Sequence, residues 1–139
     1  DLESPIADYH FDLHDIPFEA GSFDMILCNH VLEHVTDDRR VMSEFLRILR
    51  PGGFAILQVP LEPDRDRTYE DSSITDPRQR EKHFGQKDHV RVYGRDYPDR
   101  LRECGFLVTE RLVSDEFTPE AIERYRLAPK ETLYIALKP

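Results

Sequence analysis

The chain has 139 residues, with 19 Lys and Arg against 28 Asp and Glu and a formal charge of −9. It is the size of one domain and long enough to bury a core, and its acidic balance disfavours a nucleic-acid surface, whose affinity leans on neutralising phosphates. No apolar run approaches the length of a membrane span. The start, Asp1-Leu-Glu-Ser-Pro5, lacks the basic head and apolar middle of a signal peptide. Cys28 and Cys104 fall inside apparent secondary structure and read as buried thiols of a reducing compartment, so cytoplasm is the expected location.

Residues 9–13 predict a short strand ending near Asp12. Pro17 and the Glu19–Ser22 stretch then break the backbone. Phe23–Cys28 is a continuous apolar strand, of the kind expected at the centre of a parallel sheet with both faces covered. Thr36 is the expected N-cap of a helix whose first turn carries Asp37 and Asp38. Val41, Phe45, Ile48 and Leu49 recur at helical spacing, and Pro51-Gly52-Gly53 is expected to stop the helix before a strand over Phe54–Val59. The strand, turn, strand, helix, strand order predicts a layered α/β domain with a right-handed final crossover.

Residues 61–93 change character. Charges crowd Glu62–Arg67, Asp76–Lys82 allows a short charged helix, and little of the segment offers core. A connection this long suggests a lid, a substrate-side insertion or disorder. Order resumes with a helix over Arg95–Cys104 ended by Gly105, and a strand over Phe106–Arg111. Thr118-Pro119 opens a small helix, and Thr132–Leu137 alternates as an edge or penultimate antiparallel strand.

Chemistry-bearing residues collect where strands end, at Asp12, Asn29 and His30, the place where open α/β sheets build ligand crevices. His30 and His34 stand four apart with Glu33 between them. That order is not the His-Glu-x-x-His of zinc peptidases, the pair straddles a strand-helix boundary and no third ligand is evident, so no metal site is expected. In the stretch His89-Val-Arg-Val-Tyr93, an extended backbone places His89, Arg91 and Tyr93 on one side.

The elements Asp12 with Asp15-Ile-Pro-Phe18, Ser22-Phe-Asp24, Val31-Leu-Glu-His-Val35 and Leu49-Arg-Pro-Gly-Gly53, followed by Gly105-Phe106 after a helix, resemble the class I S-adenosylmethionine-dependent methyltransferases of the type 11 group. The order and spacing of these pieces carry the resemblance. It implies a Rossmann-like class I methyltransferase fold, mainly a parallel sheet with an antiparallel C-terminal strand. It also implies a single domain over 1–139, with 61–93 as a lid or substrate-side insertion. The family's opening strand, Gly-rich cofactor loop and helix find no match, so the domain is expected to be N-terminally incomplete and this polypeptide alone inactive, with weak or absent cofactor binding.

Carried over to this sequence, the resemblance implies S-adenosylmethionine as cofactor. Asp1 would lie against the ribose, Asp12 and the Leu13 N–H against the adenine, and Asn29 and His30 beside the methionine portion. His30 and His89 are the candidate bases, and His83, His89, Arg91 and Tyr93 the candidate acceptor contacts. The expected reaction is methyl transfer to a small molecule in the intact protein, with no nucleic-acid or membrane partner and a homodimer as one way to cover an incomplete sheet. The competing reading is a noncatalytic relative with a regulatory or interaction role. A nicotinamide dehydrogenase is disfavoured because its glycine fingerprint is absent.

Overall fold

The computed structural model describes residues 5–139, so Asp1 lies outside the described residues. Residues 5–22 hold no helix or strand. In place of the strand expected over 9–13, a turn closes where the Asp15 N–H donates to the Asp12 carbonyl at 3.1 Å. The chain then enters β1 (Phe23–Asn29), α1 (Asp38–Ile48) and β2 (Leu49–Gln58).

The N-cap of α1 is Asp37, not Thr36. The Asp37 carboxylate accepts the Arg40 N–H at 3.0 Å, whereas the Thr36 hydroxyl sits 3.3 Å from His14 Nε2. Near the other end of α1, Glu44 accepts the Ile16 N–H at 3.0 Å and Arg47 donates to the carbonyls of Ile16 and Phe18, both at 2.7 Å. These bonds, not a ladder, fix the 12–18 segment beside the sheet.

The helix ends before Pro51-Gly52-Gly53 because β2 begins at Leu49, directly after Ile48. The triplet instead falls within β2, where the register slips between the Phe23·Leu49 and Met25·Phe54 pairs. A Cβ at Gly53 would stand 2.9 Å from the Asp24 carbonyl oxygen and 3.0 Å from that of Arg50, so the close backbone approach at this irregularity needs glycine.

The 61–93 stretch contains β3 (Tyr69–Glu70), α2 (Pro77–Phe84) and β4 (Arg91–Val92). The expectation that it offers little core does not hold, since Phe84, His89, Arg91 and Tyr93 are all buried. It continues into α3 (Tyr97–Glu103), β5 (Leu107–Leu112), α4 (Val113–Glu116), α5 (Pro119–Tyr125) and β6 (Thr132–Leu137). Thr118 caps α5 by accepting the Ala121 N–H.

The four-stranded sheet runs β1-β2-β6-β5. Only β1·β2 is parallel, while β2·β6 and β5·β6 are antiparallel. The expectation of a mainly parallel sheet is therefore corrected to a mostly antiparallel one. The cause is where β6 sits. Inserted between β2 and β5, it runs against both and turns what would be one parallel contact into two antiparallel ones.

Nor is β1 a central strand covered on both faces. It forms an edge of the described sheet, and Met25 and Leu27 stay exposed while Cys28 is buried. Cys28, Ala55, Leu57, Tyr134 and Ala136 meet Val41, Met42, Phe45 and Ile48 of α1 and Tyr97 and Leu101 of α3 in a single core. On the opposite face, Met25 and Leu27 of β1, Leu137 of β6 and Leu107 of β5 are exposed.

Candidate functional site

At the carboxyl end of β1 the chain turns sharply. His30 adopts φ of 54°, a left-handed value that side chains with a Cβ seldom take. Its N–H donates to the Gln58 carbonyl at 2.9 Å, so the turn is tied to the end of β2. Residues 31–37 then run to the cap of α1, burying Leu32 and Glu33.

The later segment 89–93 clamps this loop. The Val90 N–H donates to the Glu33 carbonyl at 2.9 Å. Arg91, only 2% exposed, directs Nη1 to the Leu32 and Val35 carbonyls at 2.5 and 2.6 Å, and Nη2 to that of Thr36 at 3.0 Å. The Tyr93 hydroxyl lies 3.2 Å from the Leu32 carbonyl and 2.8 Å from Asp38 Oδ2. The expected alternation is present, with His89, Arg91 and Tyr93 all facing inward.

Beneath the clamp lies a buried charge network. Asp38 binds Arg100 through both carboxylate oxygens, at 2.8 and 3.1 Å, and Arg100 and Arg91 each reach Glu70 at 3.1 Å. Burial works against the Asp38 charge, yet the Arg100 hydrogen bonds, the two guanidinium charges and the Tyr93 hydroxyl hold its carboxyl below the usual range. Burial pushes the Tyr93 hydroxyl up, with the Asp38 charge adding to it, so it serves as a neutral donor. Burial also drives the Cys28 thiol up to about 12, with a further push from Glu33.

The expected site residues divide among several surfaces. Leu13 and Asn29 line one largely apolar trough of about 460 Å³ around the outer edge of β1, with Ile16, Phe18 and Val31. Asp12 is not part of that lining. It is exposed, and its Oδ1 accepts the His14 N–H at 2.9 Å and faces His14 Nδ1 at 2.6 Å. The backbone bond and then the side-chain bond from His14 hold its carboxyl below the usual range. His30 opens instead onto a cavity of about 370 Å³ with Gln58, Pro60, Lys130, Glu131 and Tyr134.

His83, His89 and Arg91 share a cavity of about 300 Å³ with Leu61, Lys82 and Phe84. Tyr93 does not line it and is fully buried in the framework. Sequence reasoning placed Glu33 only between His30 and His34 and did not find the Asp38–Arg100 pair. The signal for the pair was weak, since Asp38 also suits the positive end of a helix dipole. No helix among the described residues is long and apolar enough to cross a membrane.

Residues 3–57 match the family described as a methyltransferase domain of the type 11 group. Over 55 residues the chain is 42% identical to an uncharacterized 37.1 kDa protein in transposon TN4556 of Streptomyces fradiae, covering 40% of this chain and 15% of that protein. Over 42 residues it is 50% identical to an uncharacterized methyltransferase of Mycobacterium sp. strain KMS, covering 30% of this chain and 17% of the relative. The chain thus spans less than a fifth of these two relatives, 15% and 17% of their lengths.

Among solved structures, it resembles 1,6-didemethyltoxoflavin-N1-methyltransferase of Burkholderia thailandensis, determined with 1,6-didemethyltoxoflavin and S-adenosylhomocysteine. The TM-score is 0.59 at 18% identity, covering 94% of this chain and 49% of that one. Residues 3–57 therefore match a methyltransferase domain, and the described chain has the α/β fold of solved S-adenosylmethionine-dependent methyltransferases.

Proposed function

We propose that the protein carrying this chain transfers the sulfonium methyl group of S-adenosylmethionine to a small acceptor. The observation that carries the reading is the meeting of Leu13 and Asn29 in one trough at the carboxyl side of β1, beside the left-handed turn at His30. On this reading the nucleoside lies against Leu13, with Asp12 at its rim, and the methionine portion reaches Asn29 and the His30 backbone. The acceptor occupies the cavity of His83, His89 and Arg91, which makes 61–93 the acceptor-side cover.

The chemistry is an in-line displacement. A lone pair of the acceptor forms a bond to the methyl carbon while the carbon–sulfur pair returns to sulfur. The donor arrives activated, so the protein's contribution is to hold three atoms collinear and exclude water. Where the acceptor atom bears a proton, an imidazole at this end of the sheet takes it. Buried His89 lines the acceptor cavity, and exposed His30 lines a separate cavity at the end of β1.

The test is equilibrium binding of S-adenosylhomocysteine to the whole protein that carries the chain. Leu13→Glu and Asn29→Ala are each expected to weaken it tenfold or more with the circular dichroism spectrum unchanged. Unaltered affinity in both variants, or no binding by the unmodified protein, overturns the reading.

A further inference from the structure

We propose that Glu33, His34 and His89 form a binding site for a divalent first-row transition-metal ion. One ligand atom from each of the three lies within 4.8 Å of the others. The sequence supplied two of these residues side by side. The third comes from the far end of the 61–93 connection, delivered by the Val90–Glu33 backbone bond.

The first argument is the state of Glu33. Its side chain is 2% exposed, and Oε2 is buried without a hydrogen-bond partner among the described residues. A buried carboxylate oxygen left unpaired is costly and uncommon. No Lys or Arg among the described residues stands within ion-pair distance of it. The groups facing Oε1 are the imidazole nitrogens His30 Nδ1 at 3.6 Å and His34 Nε2 at 3.9 Å. A carboxylate placed among imidazoles is the donor set of a metal ion.

The second argument is how the two imidazoles are held. His34 Nδ1 lies 3.2 Å from Asp88 Oδ2, and His89 Nδ1 lies 3.2 Å from the Phe84 carbonyl. Each acceptor fixes the proton on Nδ1 and leaves the Nε2 lone pair for a ligand, the arrangement that orients metal-binding histidines. The rings meet edge to face, with centroids 4.7 Å apart. Closing on an ion would draw the ligand atoms to roughly 3.3 Å apart, as metal–ligand bonds of about 2.0–2.2 Å in a tetrahedral shell require.

Two imidazoles and one carboxylate suit zinc, manganese, cobalt or iron(II) better than calcium or magnesium. His34 is one-third exposed and His30 more so, which leaves a coordination position open on the solvent side. His89 also lines the cavity of His83 and Arg91, so that position is within reach of an oxygen atom of a ligand held there. Resting on the methyl-transfer reading, this narrows the free base to His30, because a metal-bound His89 has no lone pair to spare.

The experiment uses the whole chain, stripped with a chelator and titrated with zinc chloride by calorimetry and with cobalt chloride by visible absorption. One equivalent is expected to bind with micromolar or tighter affinity, and cobalt to show the intense bands of a four- or five-coordinate site. His34→Ala and His89→Ala are expected to weaken binding about a hundredfold, and His83→Ala to leave it unchanged. Folding is followed in parallel by circular dichroism. Zinc should raise the melting temperature of the unmodified chain but not of Glu33→Gln. No binding by the unmodified chain overturns the proposal, as does wild-type affinity in both folded histidine variants. Neither result touches S-adenosylhomocysteine binding, so the two readings fail separately.

Discussion

Arg91 and Leu32 are joined by a 2.5 Å hydrogen bond from a buried guanidinium to a buried carbonyl. The bond decides how the loop after β1 is held. Carbonyls 32, 35 and 36 all point at one side chain, the arrangement expected of a helix approach whose backbone acceptors have no ladder to join. A planar fork reaches them from two separate nitrogens, where an ammonium offers one. Arg91→Lys is therefore expected to lower unfolding stability by about 2–3 kcal/mol, since hydrogen bonds from charged groups are among the stronger ones. Urea denaturation checks it, and an unmoved midpoint would remove Arg91 from the framework.

Much of this was legible from the chain. Spacing of Val41, Phe45 and Ile48 gave α1, Thr118-Pro119 gave the start of α5, and the alternation over 89–93 grouped His89, Arg91 and Tyr93 on one side, without showing that this side is buried. The antiparallel, penultimate place of β6 was one of the two positions its alternation offered, but which strands flank it was not legible, because alternation reports a face and never a neighbour. The edge position of β1 escaped for a similar reason: Met25, Ile26 and Leu27 read as buried, but burial depends on what lies across the sheet. At the site, His30, Glu33 and His34 were visible as a local cluster. His89 joined them only through a tertiary hydrogen bond.

Asp38 supports the second prediction. It neutralises Arg100 and stands 3.8 Å from Arg91 inside the core. Asp38→Asn leaves two guanidinium groups short of a counter-charge and is expected to cost about 3–5 kcal/mol. Adding Arg100→Met should recover part of that loss. Equal stabilities for Asp38→Asn and the double variant would show that the pair is not coupled.

The same carboxylate sets an acid limit. Its folded-state pKa lies below the ordinary 3.8 in spite of burial, because Arg100, Arg91 and Tyr93 stabilise the charged form. The stabilisation is therefore complete above the unfolded value and is lost as pH falls through the lower folded value. Unfolding free energy of the native chain should drop steeply below pH 3.8, and the drop should be shallower in Asp38→Asn. Parallel pH profiles would assign the acid sensitivity elsewhere.

The cysteines give a fourth prediction. Burial pushes the Cys28 thiol to about 12, aided by Glu33, and pushes the half-buried Cys104 thiol up as well, partly offset by Arg39. Thiolate is the reacting form, so both should alkylate slowly at pH 8, Cys104 first because it is the more accessible. Mass spectrometry after timed iodoacetamide treatment reads the order, and Cys28 should be labelled only on addition of denaturant. Early labelling of Cys28 in the folded chain would contradict its place in the core.

Gly94 carries the last prediction. An added Cβ there would stand 2.7 Å from the Arg67 carbonyl carbon, 2.8 Å from the Arg65 oxygen and 2.9 Å from the Arg67 oxygen, all backbone atoms. Backbone cannot swing aside as a side-chain tip can, so Gly94→Ala must displace either 65–67 or the 91–93 clamp. The expected cost is about 1–3 kcal/mol. Gly85 is the useful comparison, since nothing lies within 4 Å of its added Cβ and only its φ of 88° opposes a side chain. Gly85→Ala should therefore cost about 1 kcal/mol through backbone strain alone. Thermal melts rank the two, and Gly94→Ala should be the larger loss. It should also weaken any ligand held by His89, because the 89–93 segment that carries His89 ends against this glycine. Melting temperatures that fall equally in both variants would mean that the 65–67 backbone yields, and that the clamp over the β1 loop does not depend on its packing at Gly94.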